Sequence, residues 1–406
     1  MGLLHTAPQR LPGARVAARS LLGTFLLGIA LAGCGKSLPS ERQNREAGVT
    51  RVAGPGALAA NGLATKNTTR LGGANAIADA AAVALAVHPG LTPATRPGVV
   101  VLVDKRDWPA ALASAALSSA PLGAPLLYTE GNSLPSLSAA ALGALHPRGT
   151  PVLHGAQVIE IGTSAAPAGY RAHVLASATT AGLAARIERL LARARGAAPR
   201  HVIVIGADGP PALAMPAAGL AAESGSPILP VTASGIPGAT RRTLIALRHP
   251  TIYVVGGSAG VSDATLAKLS RYGTVRRVAV ESGTDPVTNA ISVARFSDGS
   301  FGWGVEEPGH GLVFASTARP LDAPAAASLS ASGDFGPLLL LESPTGIPEP
   351  LARYLSDIQP SYPEYQPTRG FYNHGWLIGD EAAIAPSTQA ELDTLLETLP
   401  RSGREQ

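Results

Sequence analysis

Three short runs of β-branched and other apolar residues recur along the chain, and each ends in polar or small residues. They lie at 98–104, 201–206 and 311–316. Runs of this length and composition are typical of strands buried on both faces of a parallel sheet. Each run is followed by an Ala- and Leu-rich segment, at 109–120, 211–223 and 321–331. The pattern therefore predicts a strand followed by a helix at three places in the chain.

Downstream of each helix the same order of elements returns. Each copy has an apolar string around a proline, which is Pro125, Pro227 or Pro337. Further helices are predicted at 136–145, 238–247 and 349–358, and third strands at 151–155, 252–257 and 376–379. Such an order implies right-handed crossovers and a parallel sheet with helices on both faces. We expect an α/β chain of three tandem Rossmann-like or flavodoxin-like modules, at 69–170, 171–274 and 275–398.

The amino terminus has the organisation of an export signal. Arg10, Arg15 and Arg19 precede an apolar run at 21–31. At about 1.5 Å per residue this run is too short to span roughly 30 Å of hydrocarbon. A charged region, a short apolar region and small residues before a cleavage site together indicate a signal peptide, here residues 1–33.

Cys34 follows directly and is the only cysteine of the chain. The sequence Leu31-Ala32-Gly33-Cys34 resembles the lipobox of bacterial lipoproteins, in which the cysteine is acylated. A lone thiol cannot form an intramolecular disulfide and is a liability in an oxidising compartment, which favours lipidation. We expect a protein anchored by lipid on the outer side of the cytoplasmic membrane, with a flexible tether at 34–68. A secretory peptide with a chance cysteine is the alternative.

Composition and charge narrow the range of partners. Hydrophobic residues make up 46% of the chain and charged residues 15%, so the chain can bury a core. Removal of the three arginines of the signal peptide leaves 29 basic and 28 acidic residues. This near balance, together with the lack of a basic stripe, argues against nucleic acid as a partner. Arg186, Arg189, Arg193 and Arg195 flank an apolar helix stripe and are most simply its solvated face.

The repeated segments are similar to a known family, the bacterial type 2 cell-wall-binding repeats, which occur as three tandem modules on exported proteins. The segments that carry the resemblance are 69–73, 110–112, 123–127, 253–262 and 376–385. The resemblance implies α/β modules packed around a pseudo-threefold axis and non-covalent attachment to anionic cell-wall polymers. The chain departs from the family's Asp-Ala-Leu element, because Ala110 and Pro211 replace the aspartate, which only Asp322 retains.

Candidate ligand-binding residues follow the predicted strands, because ligands of open parallel sheets bind at the carboxyl ends of the strands. In the three modules they are Asp104, Lys105, Arg106 and Trp108; Asp208, Gly256, Gly257 and Ser258; and Ser316, Arg319 and Asp322. The first group could contact an anion or stack on a sugar, or it could be a solvated loop in which Trp108 packs on a neighbour. Residues 256–258 could cradle an anion with backbone N–H groups, although a tight structural turn is the simpler interpretation.

The sequence contains no catalytic constellation, metal-ligand pattern or cofactor fingerprint that we could identify. The favoured hypothesis is a non-catalytic envelope lipoprotein that binds a cell-wall polysaccharide or another anionic envelope polymer. Two alternatives remain open at this point. One is a lipid-anchored solute-binding protein of an importer, which needs two lobes joined by hinge strands. The other is an envelope hydrolase with a strand-end serine or aspartate as its nucleophile.

Overall fold

The computed structural model of the protein describes residues 50–52, 62–278, 283–331, 335–364 and 370–401. The predicted signal peptide, Cys34 and most of the predicted tether lie outside these residues. The described residues belong to one unit, Ala47–Gln406. Among them, every helix is too short or too polar to cross a membrane.

The strands are short and alternate with helices along most of the chain. They are β1 (Thr50–Val52), β2 (Gly62–Ala64), β3 (Thr68–Leu71), β4 (Val100–Asp104), β5 (Leu126–Thr129), β6 (Val158–Ile161), β7 (Ala172–Leu175), β8 (His201–Gly206), β9 (Ile228–Val231), β10 (Thr251–Val254), β11 (Thr274–Arg277), β12 (Gly311–Ser316), β13 (Phe335–Leu341), β14 (Ser361–Pro363), β15 (His374–Ile378) and β16 (Leu399–Arg401).

The helices begin at side chains suited to their first turns. Asn75, Thr179 and Asp285 each accept hydrogen bonds from backbone N–H groups of the helix that follows. The α-helices are α1 (Ala76–Val87), α2 (Trp108–Ser114), α3 (Ser136–Leu145), α4 (Thr180–Arg195), α5 (Pro211–Ala214), α6 (Pro216–Ser224), α7 (Gly238–Ala246), α8 (Asp263–Leu269), α9 (Pro286–Arg295), α10 (Asp322–Ser330), α11 (Glu349–Asp357) and α12 (Pro386–Leu395).

Fourteen of the described strands form three sheets that share one parallel four-stranded order, and β14 and β16 form a separate parallel pair. The first sheet has the order β7-β6-β4-β5, the second β11-β10-β8-β9, and the third β3-β15-β12-β13. In the third sheet, β2 and β1 continue antiparallel beyond β3. The prediction of an α/β fold with repeated parallel sheets is confirmed.

Each sheet is completed by a strand that opens the next copy of the repeat. The strand β7 lies within the predicted second module but pairs with β6 of the first sheet. In the same way β11 joins the second sheet, and β3, from the start of the chain, joins the third. The three sheets therefore exchange strands in a cycle. The third sheet closes it, because β3 pairs with β15 from the other end of the described chain. The pseudo-threefold axis itself stays a prediction.

The helices that follow the first strand of each sheet pack against one another. They are α6, α10 and the 3₁₀ helix Ala115–Ser118 that continues α2. The Oγ atoms of Ser118 and Ser328 lie 3.4 Å apart, and a Cβ added to Gly219 would lie 2.8 Å from Ser330 Oγ. Contacts between such small residues let the helices approach closely, so the core needs few aromatic side chains.

Three local predictions were wrong. The third strand of the first sheet is β6, not 151–155, because His154 and Gly155 adopt positive φ angles that end a short 3₁₀ helix there. The helix predicted at 211–223 is divided into α5 and α6 before Pro216, whose ring cannot continue a helix without a break. The parts of the predicted tether that the structure describes, 50–52 and 62–68, include strands β1 and β2.

Candidate functional site

A crevice lies at the carboxyl ends of β4 and β6, where the first sheet changes the direction of its crossovers. From β4 the chain crosses to β5 on one side, and it then crosses back to β6 on the other side of β4. Ligands of open α/β sheets usually bind at such a point. We call this space, of about 440 Å³, the first crevice. Its walls are Asp104 and Asp107 after β4, Gly162 after β6, and residues 177–180 at the start of α4.

The charged residues predicted at this strand end lie at or beside the crevice. Arg106 donates from Nε and Nη2 to Asp104, with the closest contact at 2.6 Å. Burial opposes ionisation of Asp104, but hydrogen bonds from Arg106 and from Gly131 hold the pKa of its carboxyl below the ordinary value. Lys105 forms an ion pair with Glu130. Asp104 therefore lines the crevice as a carboxylate whose two oxygens both accept hydrogen bonds from Arg106.

Asp107 links α2, which follows β4 of the first sheet, to the start of α4. Its carboxylate caps α2 at Ala110 N and accepts a hydrogen bond from Thr180 Oγ1 at 2.8 Å. Thr179 caps α4 by accepting from Gly182 N. The wall of the crevice is thus fixed by side chains on two helices. Trp108, the first residue of α2, is partly buried against the hydrophobic core.

The equivalent space of the second sheet is occupied by backbone. A Cβ added to Gly206, at the end of β8, would lie 1.9 Å from the carbonyl oxygen of Gly260. One added to Gly257 would lie 1.7 Å from the carbonyl oxygen of Gly283. Only glycine permits such approaches, and Arg277 donates to the carbonyl of Gly256 at 2.9 Å. Residues 256–260 therefore form a close-packed turn.

The other two candidates near the second sheet are exposed. Asp208 accepts from the backbone N–H of Ala233 at 2.8 Å, which ties the loop after β8 to the loop after β9. Ser258 lies on the exposed part of the turn. The structure therefore places Asp208 and Ser258 in exposed loops at the carboxyl edge of the second sheet.

At the third sheet a side chain fills the corresponding space. Arg319 forms ion pairs with Asp79, with Asp322 (Nε to Oδ2, 3.0 Å) and with Asp380 (3.5 Å). A Cβ added to Gly379, directly after β15, would lie 3.0 Å from Arg319 Nη1. Ser316 is buried at the end of β12. The third group of candidates is thus brought together, but as a packed ionic cluster.

Two buried carboxyl groups share this one arginine. Asp79 and Asp322 are fully buried. Burial, and then the neighbouring Asp79 charge, raise the pKa of Asp322 to about 9. Burial also raises the pKa of Asp79, against hydrogen bonds from Gly73 and Asp322 and the charge of Arg319. With its pKa raised this far, Asp322 retains its proton at neutral pH.

Sequence reasoning missed several residues of the first crevice. Ser177, Thr179 and Thr180 lie about 70 residues beyond Asp104 in the chain, at the start of the helix of the next module. The signal was present, since a Ser/Thr-rich segment before an Ala/Leu-rich helix is typical of a helix start. This Ser/Thr-rich segment lies near Asp107 because the strand before it, β7, pairs with β6 of the first sheet. Among the described residues no group of three or more His, Cys, Asp or Glu side chains could hold a metal ion.

Comparison with known proteins identifies the fold. No family model and no curated protein matches the sequence. The similar solved structures include those of the cell wall proteins Cwp6 and Cwp8 from Clostridium difficile. For Cwp6 the TM-score is 0.62 at 18% identity, covering 81% of this chain and 48% of Cwp6. For Cwp8 it is 0.60 at 18% identity, covering 81% of this chain and 52% of Cwp8. The chain thus spans about half the length of these proteins and shares their fold.

Proposed function

We propose that this chain is a non-catalytic protein of the cell envelope whose repeated α/β sheets bind a cell-wall polymer non-covalently. The observation that carries the proposal is the likeness of 81% of the chain to cell wall proteins of known structure. The similarity of the repeated segments to type 2 cell-wall-binding repeats points in the same direction. Because the match covers about half of each of those proteins, the proposal concerns only the part that is shared.

The first crevice has the chemistry of a saccharide subsite. Its wall combines the carboxylates of Asp104 and Asp107 with hydroxyl groups of Ser177 and Thr179. Carboxylates accept hydrogen bonds from sugar hydroxyls, and serine and threonine hydroxyls both donate and accept. The crevice is open on one side, so a polymer could enter it laterally. We assign it a hydroxyl-rich sugar of the polymer backbone.

The two alternative functions have less support. A two-lobed solute-binding protein needs a cleft between two halves, whereas three of the sheets in the described residues share one common strand order. A hydrolase would need an accessible nucleophile at a strand end. Of the strand-end candidates, Asp322 and Ser316 are buried. Asp104 lines the first crevice, but both of its carboxylate oxygens accept hydrogen bonds from Arg106.

Lipid anchoring at Cys34 is the second part of the proposal and leads to a direct prediction. Replacement of Cys34 by Ser should move the protein from the detergent phase to the aqueous phase in Triton X-114 partitioning, because the acyl chains are lost with the thiol. Incorporation of labelled palmitate should be lost in the same variant. Wild-type protein that stays in the aqueous phase would contradict the anchor, while leaving polymer binding open.

Blocking the first crevice provides the test of polymer binding. Ala178 is exposed and lines the crevice, whereas Ala176 is exposed two residues away and does not line it. Ala178→Trp should weaken binding to purified cell-wall polysaccharide at least about tenfold, or about 1.4 kcal/mol, by excluding the sugar. Ala176→Trp serves as the matched control. Co-sedimentation with cell walls, before and after removal of their polysaccharide, measures the effect.

The outcomes separate the site from the function. If wild-type protein does not sediment with the walls even at low salt, the proposed function is wrong. If both tryptophan variants bind like the wild type, polymer binding stands and the first crevice is not the site. Unchanged midpoints of thermal unfolding would show that neither substitution disturbs the fold.

A further inference from the structure

The last strand of the first sheet, β7, has an unpaired edge. Successive residues of a strand point their backbone N–H and C=O groups to opposite sides. The carbonyl of Leu175 accepts a hydrogen bond from Gly162 N, after β6, at 3.0 Å, so Leu175 and His173 point toward β6. The backbone groups of Ala172 and Val174 therefore point outward, where no other strand of the described chain pairs with them.

The same edge is covered in the third sheet. There β3 takes the place of β7, because each is the parallel strand beside the third strand of its sheet. On its outer side β3 pairs with β2, which runs antiparallel and places Ala64 opposite Thr69. This position in the repeat therefore accepts an antiparallel strand.

The face of β7 also lacks a side chain that the equivalent strands have. Val174 stands opposite the residue two places before the glycine that follows β6, and Arg70 in β3 and Arg277 in β11 hold the same place. Arg70 folds over its sheet and donates to the carbonyl of Gly379 at 3.2 Å. Arg277 does the same to Gly256 at 2.9 Å. A valine cannot make this contact.

A helix covers the equivalent strands but not β7. In the third sheet α12 packs against β3, and in the second Arg277 donates to the carbonyl of Val261, just before α8, at 2.8 Å. The described residues 162–171, between β6 and β7, contain no helix. Val174 is consequently 49% exposed, and Ala172 on the same face is exposed as well. The strand β7 thus has an uncovered face beside its unpaired edge.

This edge is complementary to a second copy of itself. When two copies of β7 run antiparallel around His173, Ala172 of each stands opposite Val174 of the other. These are the residues whose N–H and C=O groups point outward, so each of the two pairs can exchange both N–H···O bonds. The same pairs cover the exposed apolar side chains. Arg171 then stands opposite Leu175, so this pairing sets no two arginines of the strand against each other.

The free edge of β11 lacks this complementarity. In the same arrangement, Arg276, which holds the place of His173, would stand opposite its own copy in the second molecule. Like charges directly opposite destabilise a strand pair, and charged residues on edge strands oppose association. Burial, and then the nearby charge of Arg193, lower the pKa of His173, so its ring is uncharged at neutral pH.

We propose that two copies of this chain associate through β7, whose free edges pair antiparallel around His173 and join the two first sheets into one continuous sheet. The interface uses the same residues of both copies, as two-fold symmetry requires. Because the strand is short and its exposed apolar surface small, we expect a weak dimer with a Kd of about 10–100 µM. This association is independent of the proposed function, because it uses no residue that lines the first crevice.

A cysteine at the centre of the pair provides the first test. His173 would face its own copy in a pair without direct hydrogen bonds, where Cα atoms are about 4.5 Å apart, within the range of about 4.4–6.8 Å found in disulfides. In the full-length chain, Cys34→Ser leaves the introduced thiol as the only one. With that change, His173→Cys should form a disulfide-linked dimer on mild oxidation. Arg276→Cys is the matched control in β11 and should stay monomeric.

Sedimentation equilibrium of the Cys34→Ser chain provides the second test. Val174→Pro removes the outward N–H, which β6 does not use, and should weaken association at least about tenfold. Val174→Ile keeps this N–H and the branched side chain, and should associate at least as tightly as the parent. Midpoints of thermal unfolding check that both variants are folded. If Val174→Pro is not, the disulfide yields of His173→Cys and Arg276→Cys decide.

Equal disulfide yields in His173→Cys and Arg276→Cys would overturn β7 as the interface. So would a folded Val174→Pro that associates as tightly as Val174→Ile. A parent chain that stays monomeric up to about 0.5 mM would overturn the association itself. Sedimentation with cell walls tests the proposed function separately, so either proposal can fail while the other stands.

Discussion

Replacement of Arg319 by Met should lower the free energy of unfolding by about 3–5 kcal/mol at neutral pH. Arg319 is the only cation among the ion pairs made by the buried carboxyl groups Asp79 and Asp322 in the described part of the chain. Without it, Asp79 must either remain as a buried unpaired charge or take up a proton. Both consequences are costly, because a charge transferred from water to the interior loses its solvation.

The ion pair also joins distant parts of the sequence. Asp79 is on α1, at the start of the folded chain, and Arg319 precedes α10 of the third sheet. Arg353→Met is the control, since Arg353 forms an exposed ion pair with Glu349 and should change stability by no more than about 0.5 kcal/mol. Urea-induced unfolding measures both variants.

A double variant distinguishes the loss of the ion pair from a general packing defect. Arg319→Met combined with Asp79→Asn removes the buried charge together with its partner, so most of the lost stability should return. If the double variant is as unstable as Arg319→Met alone, the ion pair does not stabilise the fold in the way argued here.

Much of the fold could be predicted from the sequence because its signals are local. Buried strands such as β4, β8 and β12 are continuous apolar runs, and the helices after β4 and β8 have a proline in their first turn. The recurrence of these signals about every 100 residues predicted the number of sheets. What local signals could not give was the assignment of β3, β7 and β11 to sheets, because the apolar pattern of a strand does not show which other strand it pairs with.

The candidate site was harder to predict for the same reason. Strand-end residues such as Asp104, Gly257 and Arg319 looked equivalent in the sequence. In the described part of the chain, however, Asp104 lines a crevice, whereas Gly257 and Arg319 lie in packed contacts. The difference depends on what fills the space: backbone around Gly260 in the second sheet and the Arg319 side chain in the third.

Stability should depend on pH through Asp322, and the expected direction is a loss of stability as pH rises. An aspartate in the unfolded chain has a pKa of about 3.9, whereas the pKa of Asp322 in the folded protein is about 9. Between these values the folded state binds a proton that the unfolded state lacks. Each pH unit in this window should therefore cost up to about 1.4 kcal/mol per such proton. The contribution is complete below about pH 4 and is lost as pH rises through about 9.

Asp322→Asn isolates this contribution, because an amide resembles the protonated carboxyl but does not titrate. Burial lowers the pKa values of His88 and His374, which makes stability rise with pH, so the informative quantity is the difference between variant and wild type. Urea unfolding from pH 5 to pH 9 should show Asp322→Asn gaining stability relative to the wild type as pH rises. Asp263→Asn, at an exposed carboxylate, should show no comparable gain. If Asp322→Asn instead follows the wild type across this range, Asp322 is ionised in the folded protein, and Arg319 neutralises two buried carboxylates instead of one.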